Sequence, residues 1–232
     1  MPTFRDATCG SATTDHFSAP QSGLPFGGTN PPQFDRLSPT TDLVTVGIGG
    51  NDAGVAGAAV GCINLLPSIR VKGVSTLPAP LGGACQEALT AGGVDTVGEA
   101  IIASEIKVVN ALEEIYRRSP NARVLLVNYL AAVPPKACYP YVPILKEDMP
   151  YLYEKFNELN AMVARAAARG GAELVDTYTP TVGHDVCKSP LRRYVEAVLP
   201  VSLNGPSVAV SAQPNSAGAN AQALIVLQAI RG

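Results

Sequence analysis

The sequence predicts a three-layer α/β domain built on a parallel sheet, and three observations carry that expectation. Short, nearly continuous apolar runs alternate with long amphipathic stretches, as in strands covered on both faces. The order strand, helix, strand, helix, strand, helix is what a parallel sheet needs, because each crossover is usually made by a helix. The 232 residues are 47% apolar and 16% charged, enough for one sizeable core. With no internal repeat and no clear linker, residues 1–232 read as one domain.

Taken in order, a short candidate strand at Phe4 to Thr8 opens the chain, and Leu43 to Val46 is the next apolar run. Thr96-Val-Gly-Glu99 reads as a capping box, and Val97, Ile101, Val108, Leu112 and Ile115 then fall on one helical face. Arg117 and Arg118 suit the end of that helix and Pro120 stops it. Val124 to Val127 is a third strand. Leu152, Phe156, Leu159, Val163 and Ala166 form the stripe of a second helix that ends at Gly170-Gly171. Leu174-Val175 is a short last strand, and a final helix starts at Asn215 or Ser216. Residues 18–41 and 54–93, rich in Pro and Gly, read as long loops of the functional or disulfide-tied kind.

The charge pattern excludes several roles. A net charge of −2 with scattered Lys and Arg leaves no basic stripe for nucleic acid. No stretch is apolar and long enough to span a bilayer. The start, MPTFRDATCG, lacks the charged-then-apolar pattern of a signal peptide. Five cysteines and two histidines without a C-x-x-C pair give no zinc spacing.

Two bridges leave one thiol over, and about fifteen such schemes exist. Cys62–Cys85 with Cys138–Cys187 is the favoured pairing, because the first pair closes a Gly/Pro-rich segment, worth roughly 3 kcal/mol. Five reduced, buried thiols are the alternative.

The stretch Val44-Thr-Val-Gly-Ile-Gly-Gly-Asn-Asp-Ala-Gly54 ends a strand in glycines and an Asn-Asp pair. A dinucleotide fingerprint fails, since its third glycine position is Asp52 and no acidic residue follows at the ribose distance. No P-loop motif occurs. What remains is a plain turn, or a carboxamide placed to donate to a developing oxyanion at the carboxyl end of a strand.

That stretch resembles the third conserved block of the SGNH (GDSL) hydrolases, in their secreted actinobacterial esterase and lipase branch. Phe4-Arg-Asp-Ala-Thr-Cys-Gly-Ser-Ala-Thr-Thr14 is similar to the branch's second block, T-C-S-G-A-T-T. Gly183-His-Asp-Val-Cys187 is similar to its G-H-D-x-C segment, and Gln213-Pro-Asn-Ser-Ala-Gly218 to the H-P-N-x-x-G that opens the last helix. The resemblance implies a flavodoxin-like α/β/α sandwich and hydrolysis of acyl esters of lipids or small alcohols through an acyl-serine, without metal or organic cofactor. It also implies secretion. Asn51 and the amides of Gly10 and Ser11 would form the oxyanion hole, although the usual Ser-Gly order is here Gly10-Ser11.

Two parts of the pattern are missing. No G-D-S or G-x-S-x-G occurs, so the resemblance implies a chain shortened at its N-terminus, without the nucleophile strand, the leader and the partner of Cys9. Gln213 stands where the family has its histidine base, and Val210 where many members have an orienting Asp. A carboxamide cannot accept serine's proton at neutral pH. His184 reads as structural, His16 as a solvated turn residue, and Ser11 and Ser216 have no evident base. The expectation is an inactive or weakly active hydrolase, or alternatively a pseudoenzyme that binds an acyl or glycan ligand. In a sheet of order 2-1-3-4-5 the first strand is central, so its loss would leave a slot inviting marginal stability or self-association.

Overall fold

The computed structural model describes residues 3–24, 27–68, 70–71, 74–75, 78–197 and 213–232. Its sheet consists of β1 (Leu43–Val46), β4 (Arg123–Val127) and β5 (Glu173–Val175), all parallel, in the order β1-β4-β5. Register is set by Val44 opposite Val124 and by Leu126 opposite Leu174. A two-residue hairpin, β2 (Arg70–Val71) with β3 (Val74–Ser75), lies apart from it.

One face of the sheet is covered by α3 (Thr96–Arg118) and α4 (Asp148–Gly170), with the short helices α1 (Val55–Gly61) and α2 (Cys85–Leu89) beside them. α5 (Ser216–Arg231) covers the other face. The alternation of β4 divides the core accordingly. Val124 and Leu126 join the large cluster with Ile101, Leu112 and Met162, while Leu125, Val127 and Val175 meet Ile225, Val226, Ala229 and Ile230 of α5. This is the expected three-layer sandwich.

All five residues of the expected stripe on α3 are buried. Its helix start differs from the expectation. Asp95 is the N-cap and accepts the Gly98 N–H, while the Thr96 hydroxyl donates to the Leu89 carbonyl, so no Thr96–Glu99 box forms. A carboxylate one residue earlier outcompetes the hydroxyl because Lys155 and the Tyr151 hydroxyl also converge on it. α4 starts four residues before the predicted stripe and ends in the left-handed Gly171, φ 71°. At Gly170 a Cβ would meet Leu112 at 2.6 Å, which marks how closely α3 and α4 approach. Glu105 on α3 accepts from Arg165 and Arg169 on α4.

Two expectations are corrected. Residues 54–93 are no loop, because they contain α1, the hairpin and α2. α1 is Ala/Gly-rich and has no amphipathic period to announce it, and its end is pinned to α2 by the Cys62–Cys85 disulfide. Phe4 to Thr8 is not a strand. The segment pairs with no ladder and leaves Phe4 87% exposed. A strand is defined by its neighbour, and across from this segment lies a cavity rather than a sheet edge. Among the described residues, 18–41 do lack long elements, with only a 3-10 turn at Gln33–Arg36 and a Gln21–Asn30 bridge.

Candidate active site

β1 ends at Val46, and the chain continues through Gly47 and turns at Gly49 (φ 105°) and Gly50 to Asn51. Gly49 is required by space as well as by backbone, since a Cβ would lie 3.1 Å from Val108 and 3.2 Å from Met162. The Gly50 N–H donates to the Tyr129 hydroxyl at 2.7 Å. Burial, helped by the nearby Asp52 charge and opposed by that amide, pushes the Tyr129 phenol up to about 12. Tyr129 is a fixed neutral acceptor there.

Asp52 faces away from the opening. Its fully buried carboxylate accepts the Thr14 N–H (3.0 Å) and the Thr14 hydroxyl (2.5 Å), with the Lys107 ammonium at 3.9 Å. These bonds tie the turn after β1 to the 3-10 turn Thr14–Phe17. Asn51 is exposed and lines the main cavity, while its Nδ2 donates one hydrogen to the Ala12 carbonyl at 2.9 Å. The second hydrogen of that amide remains for a ligand.

The segment before Ala12 is a tight turn. The Ala12 N–H donates to the Cys9 carbonyl, and the Gln21 side chain donates to the Gly10 carbonyl. Ser11 holds φ 61°, in the left-handed region, whereas Gly10 does not. The position that wants glycine therefore carries serine, at a cost of about 1–2 kcal/mol. Among the described residues, the N–H groups of Gly10 and Ser11 have no acceptor. Gly10, Ser11, Asn51 and Gln213 all line one cavity of about 1210 Å³.

Gln213 is exposed in a clamped frame. Its carbonyl accepts the Glu196 N–H, Pro214 bridges to Val195, and the Asn215 N–H donates to the Tyr194 carbonyl. Below it Asn215 caps α5 and donates to Glu196 and to the Arg193 carbonyl, and the Arg193 guanidinium pairs with the buried Glu196 carboxylate. Val210 lies outside the described residues.

The histidines stand elsewhere in the chemistry. His16 is half-buried rather than solvated, and its Nδ1 accepts the Thr13 N–H at 3.0 Å. The ring is drawn in because it supplies the acceptor for the start of its own 3-10 turn. His184 stacks on Tyr194 at 3.9 Å and its Nδ1 lies 2.6 Å from the Arg192 carbonyl, a structural placement. Cys62–Cys85 and Cys138–Cys187 are bonded and Cys9 is free.

Tyr129 and Asp52 were not singled out by sequence reasoning as parts of this turn. A tyrosine two residues beyond a strand, in Asn128-Tyr129 at its carboxyl end, and an Asp directly after Asn51 were the only signals. Asn128, at the end of β4, is also structural. It donates to Asp176 and accepts the N–H groups of Thr177 and Tyr178, joining the ends of β4 and β5. Among the described residues no cluster of His, Cys, Asp or Glu is arranged to hold a metal, and no helix is long and apolar enough to cross a membrane.

Residues 3–218 match the GDSL-like lipase/acylhydrolase family. The chain is 34% identical over 197 residues to Lipase 2 of Streptomyces coelicolor, covering 84% of this chain and 61% of that one. It is 31% identical to an esterase of Streptomyces scabiei, covering 94% and 68%. The chain thus spans about three fifths of the length of Lipase 2. In fold it is similar to phospholipase A1 from Streptomyces albidoflavus NA297, with a TM-score of 0.67, 20% identity, and coverage of 95% of this chain and 77% of that one. The extracellular lipase of Streptomyces rimosus gives a TM-score of 0.60 at the same identity and coverage.

Proposed function

The chain belongs to the GDSL-like lipase/acylhydrolase family, and on that premise we propose that its cavity is an ester-binding cleft with the oxyanion donors in place and the proton-transfer machinery absent. The observation that carries this reading is that Asn51, Gly10 and Ser11 line one cavity, with two backbone N–H groups and one amide hydrogen unused among the described residues. An ester carbonyl held there would develop negative charge on oxygen, and each such donor lowers the barrier by about 3 kcal/mol. The amide Nδ2 of Asn51 is steadied by its bond to Ala12, so its remaining hydrogen has a fixed direction.

The same cavity carries Gln213 rather than a base. Losing one member of a nucleophile–base pair costs on the order of 10⁴- to 10⁶-fold in rate. The chain of 232 residues is therefore expected to bind acyl ligands without turning them over, and by kinship to act outside the cell, which its two disulfides support.

Two measurements test this. With p-nitrophenyl acetate and butyrate, no steady turnover above buffer is expected. Turnover that disappears in Asn51→Ala would overturn the inactive reading. In calorimetric titration octanoate, the product of an acyl ester, is expected to bind at least tenfold more weakly to Asn51→Ala than to the wild type. Equal binding would remove Asn51 from the cleft's function.

A further inference from the structure

We infer that Val60, Leu65, Leu66 and Leu81 form a docking face for the surface of a lipid aggregate, set at the mouth of the cavity. The choice of occupant rests on the ester-binding reading of that cavity, while the face itself lies outside it.

The first observation is a gathering of exposed apolar side chains. Val60 is 55% and Leu65 71% exposed, and Leu66 and Leu81 are exposed as well. A single apolar residue in water is ordinary, as Ile102 is on α3. Four in one disulfide-closed segment mark a surface that meets something.

The second is how firmly they are held. The Leu65 N–H donates to the Pro80 carbonyl at 2.9 Å, which sets Leu65 beside Leu81. Next to them Asn64 is fully buried. Its Nδ2 donates to the Gly83 carbonyl at 3.0 Å, its Oδ1 accepts the Gly82 N–H at 2.8 Å, and its own N–H donates to the Pro143 carbonyl at 2.7 Å. The Cys62–Cys85 disulfide closes the same segment. A buried carboxamide and a covalent bridge thus present leucines to water, an arrangement that apolar surface disfavours until it is covered.

The third observation chooses the occupant. The only charged residues between Asp52 and Glu87 are Arg70 and Lys72, so the segment has no acidic group to repel phosphate headgroups. The N–H groups of Ile63, Asn64, Leu65, Leu81 and Gly82 are all engaged within the chain, and Pro67, Pro78 and Pro80 have none. A protein partner calls for about one hydrogen bond per 100–200 Å² of interface, whereas hydrocarbon calls for backbone groups that are already satisfied. This face meets the second demand. Val60 and Ile63 also line the cavity, so a lipid surface resting on the leucines would lie against the opening that admits an acyl chain. Such a contact lies on the lipid and does not span it.

The chain has no tryptophan, so Leu65→Trp introduces a single reporter. With phosphatidylcholine vesicles its emission is expected to shift to the blue and to be quenched by brominated acyl chains, at high salt as at low salt. The same change at the lone exposed Ile102, Ile102→Trp, is expected to show neither effect. In vesicle flotation Leu65→Ser/Leu66→Ser is expected to bind roughly tenfold more weakly than the wild type or worse, with octanoate binding unchanged. Asn51→Ala is expected to do the reverse, so failure of the ester-binding reading shows in octanoate and failure of the docking face shows in vesicles. An unshifted Leu65→Trp spectrum, an equal shift at Ile102→Trp, or equal flotation of the double serine variant would overturn the inference. So would a stable dimer that the double variant abolishes, which would give the face to a second copy of the chain. Should the double variant misfold, the tryptophan spectra still decide.

Discussion

The Tyr129 hydroxyl accepts the Gly50 N–H at 2.7 Å, so the turn after β1 is anchored by a side chain from the end of the neighbouring strand. Tyr129→Phe is expected to lower stability by about 1–2 kcal/mol, because the Gly50 amide loses its acceptor. Gly50→Ala is expected to cost about 1–3 kcal/mol by overpacking, since its Cβ would lie 2.8 Å from the hydroxyl and 2.9 Å from Cζ. The double variant should recover little, because the ring carbons remain in place. Urea midpoints of the three proteins measure this.

Ser11 at φ 61° gives a prediction of opposite sign. Ser11→Gly is expected to stabilise the protein by about 0.5–1 kcal/mol, the relieved backbone strain being partly offset by glycine's greater freedom when unfolded. The reverse change at the neighbouring position, Gly10→Ser, meets no atom within 4 Å and no positive φ, and should be nearly neutral. Thermal denaturation of both variants separates the two positions.

The disulfides rank by the loops they close. Cys138–Cys187 spans 49 residues and Cys62–Cys85 spans 23. Loop entropy assigns them about 4 and about 3 kcal/mol. Replacing each pair by serine should show that order in denaturant midpoints, and thiol titration of the unfolded, unreduced chain should count one free sulfhydryl.

Asp95 links the helix start to pH. Burial pushes its carboxyl up, but the bonds from Lys155, Gly98 and Tyr151 together hold it below the usual range. A group depressed on folding contributes stability that is full above the unfolded value of about 4 and is lost as pH falls through the folded value. Asp95→Asn keeps a side chain able to cap but removes the charge. Its stability deficit against the wild type should therefore be largest near pH 6 and shrink toward pH 3, as followed by urea unfolding.

These positions show what a reading of residues alone captures. The three strands, the stripes on α3 and α4 and the opening of α5 follow from local periodicity, which a sequence displays directly. The place of Asn51 on the cavity wall was legible because glycines around an amide at a strand's end have few uses. Asp52 and Tyr129 were not, because their partners, Thr14 and Gly50, lie 38 and 79 residues away. The strand expected at Phe4 to Thr8 failed for the same reason in reverse, since local composition cannot supply a neighbour. α1 escaped notice because Ala and Gly carry no amphipathic signature, and the Asp95 cap because its three donors include two from α4, more than fifty residues away.

Position 213 opens a stretch of main chain pinned by hydrogen bonds that join Gln213 to Glu196 and Asn215 to Tyr194, and by the closeness of Gly218, where even a Cβ would come within 2.1 Å of the Tyr194 carbonyl. Such a mount fixes aim independently of what is mounted. An imidazole installed there would inherit the direction that Gln213 now has, so a titratable group could be placed on this cavity wall by one codon without rebuilding the scaffold.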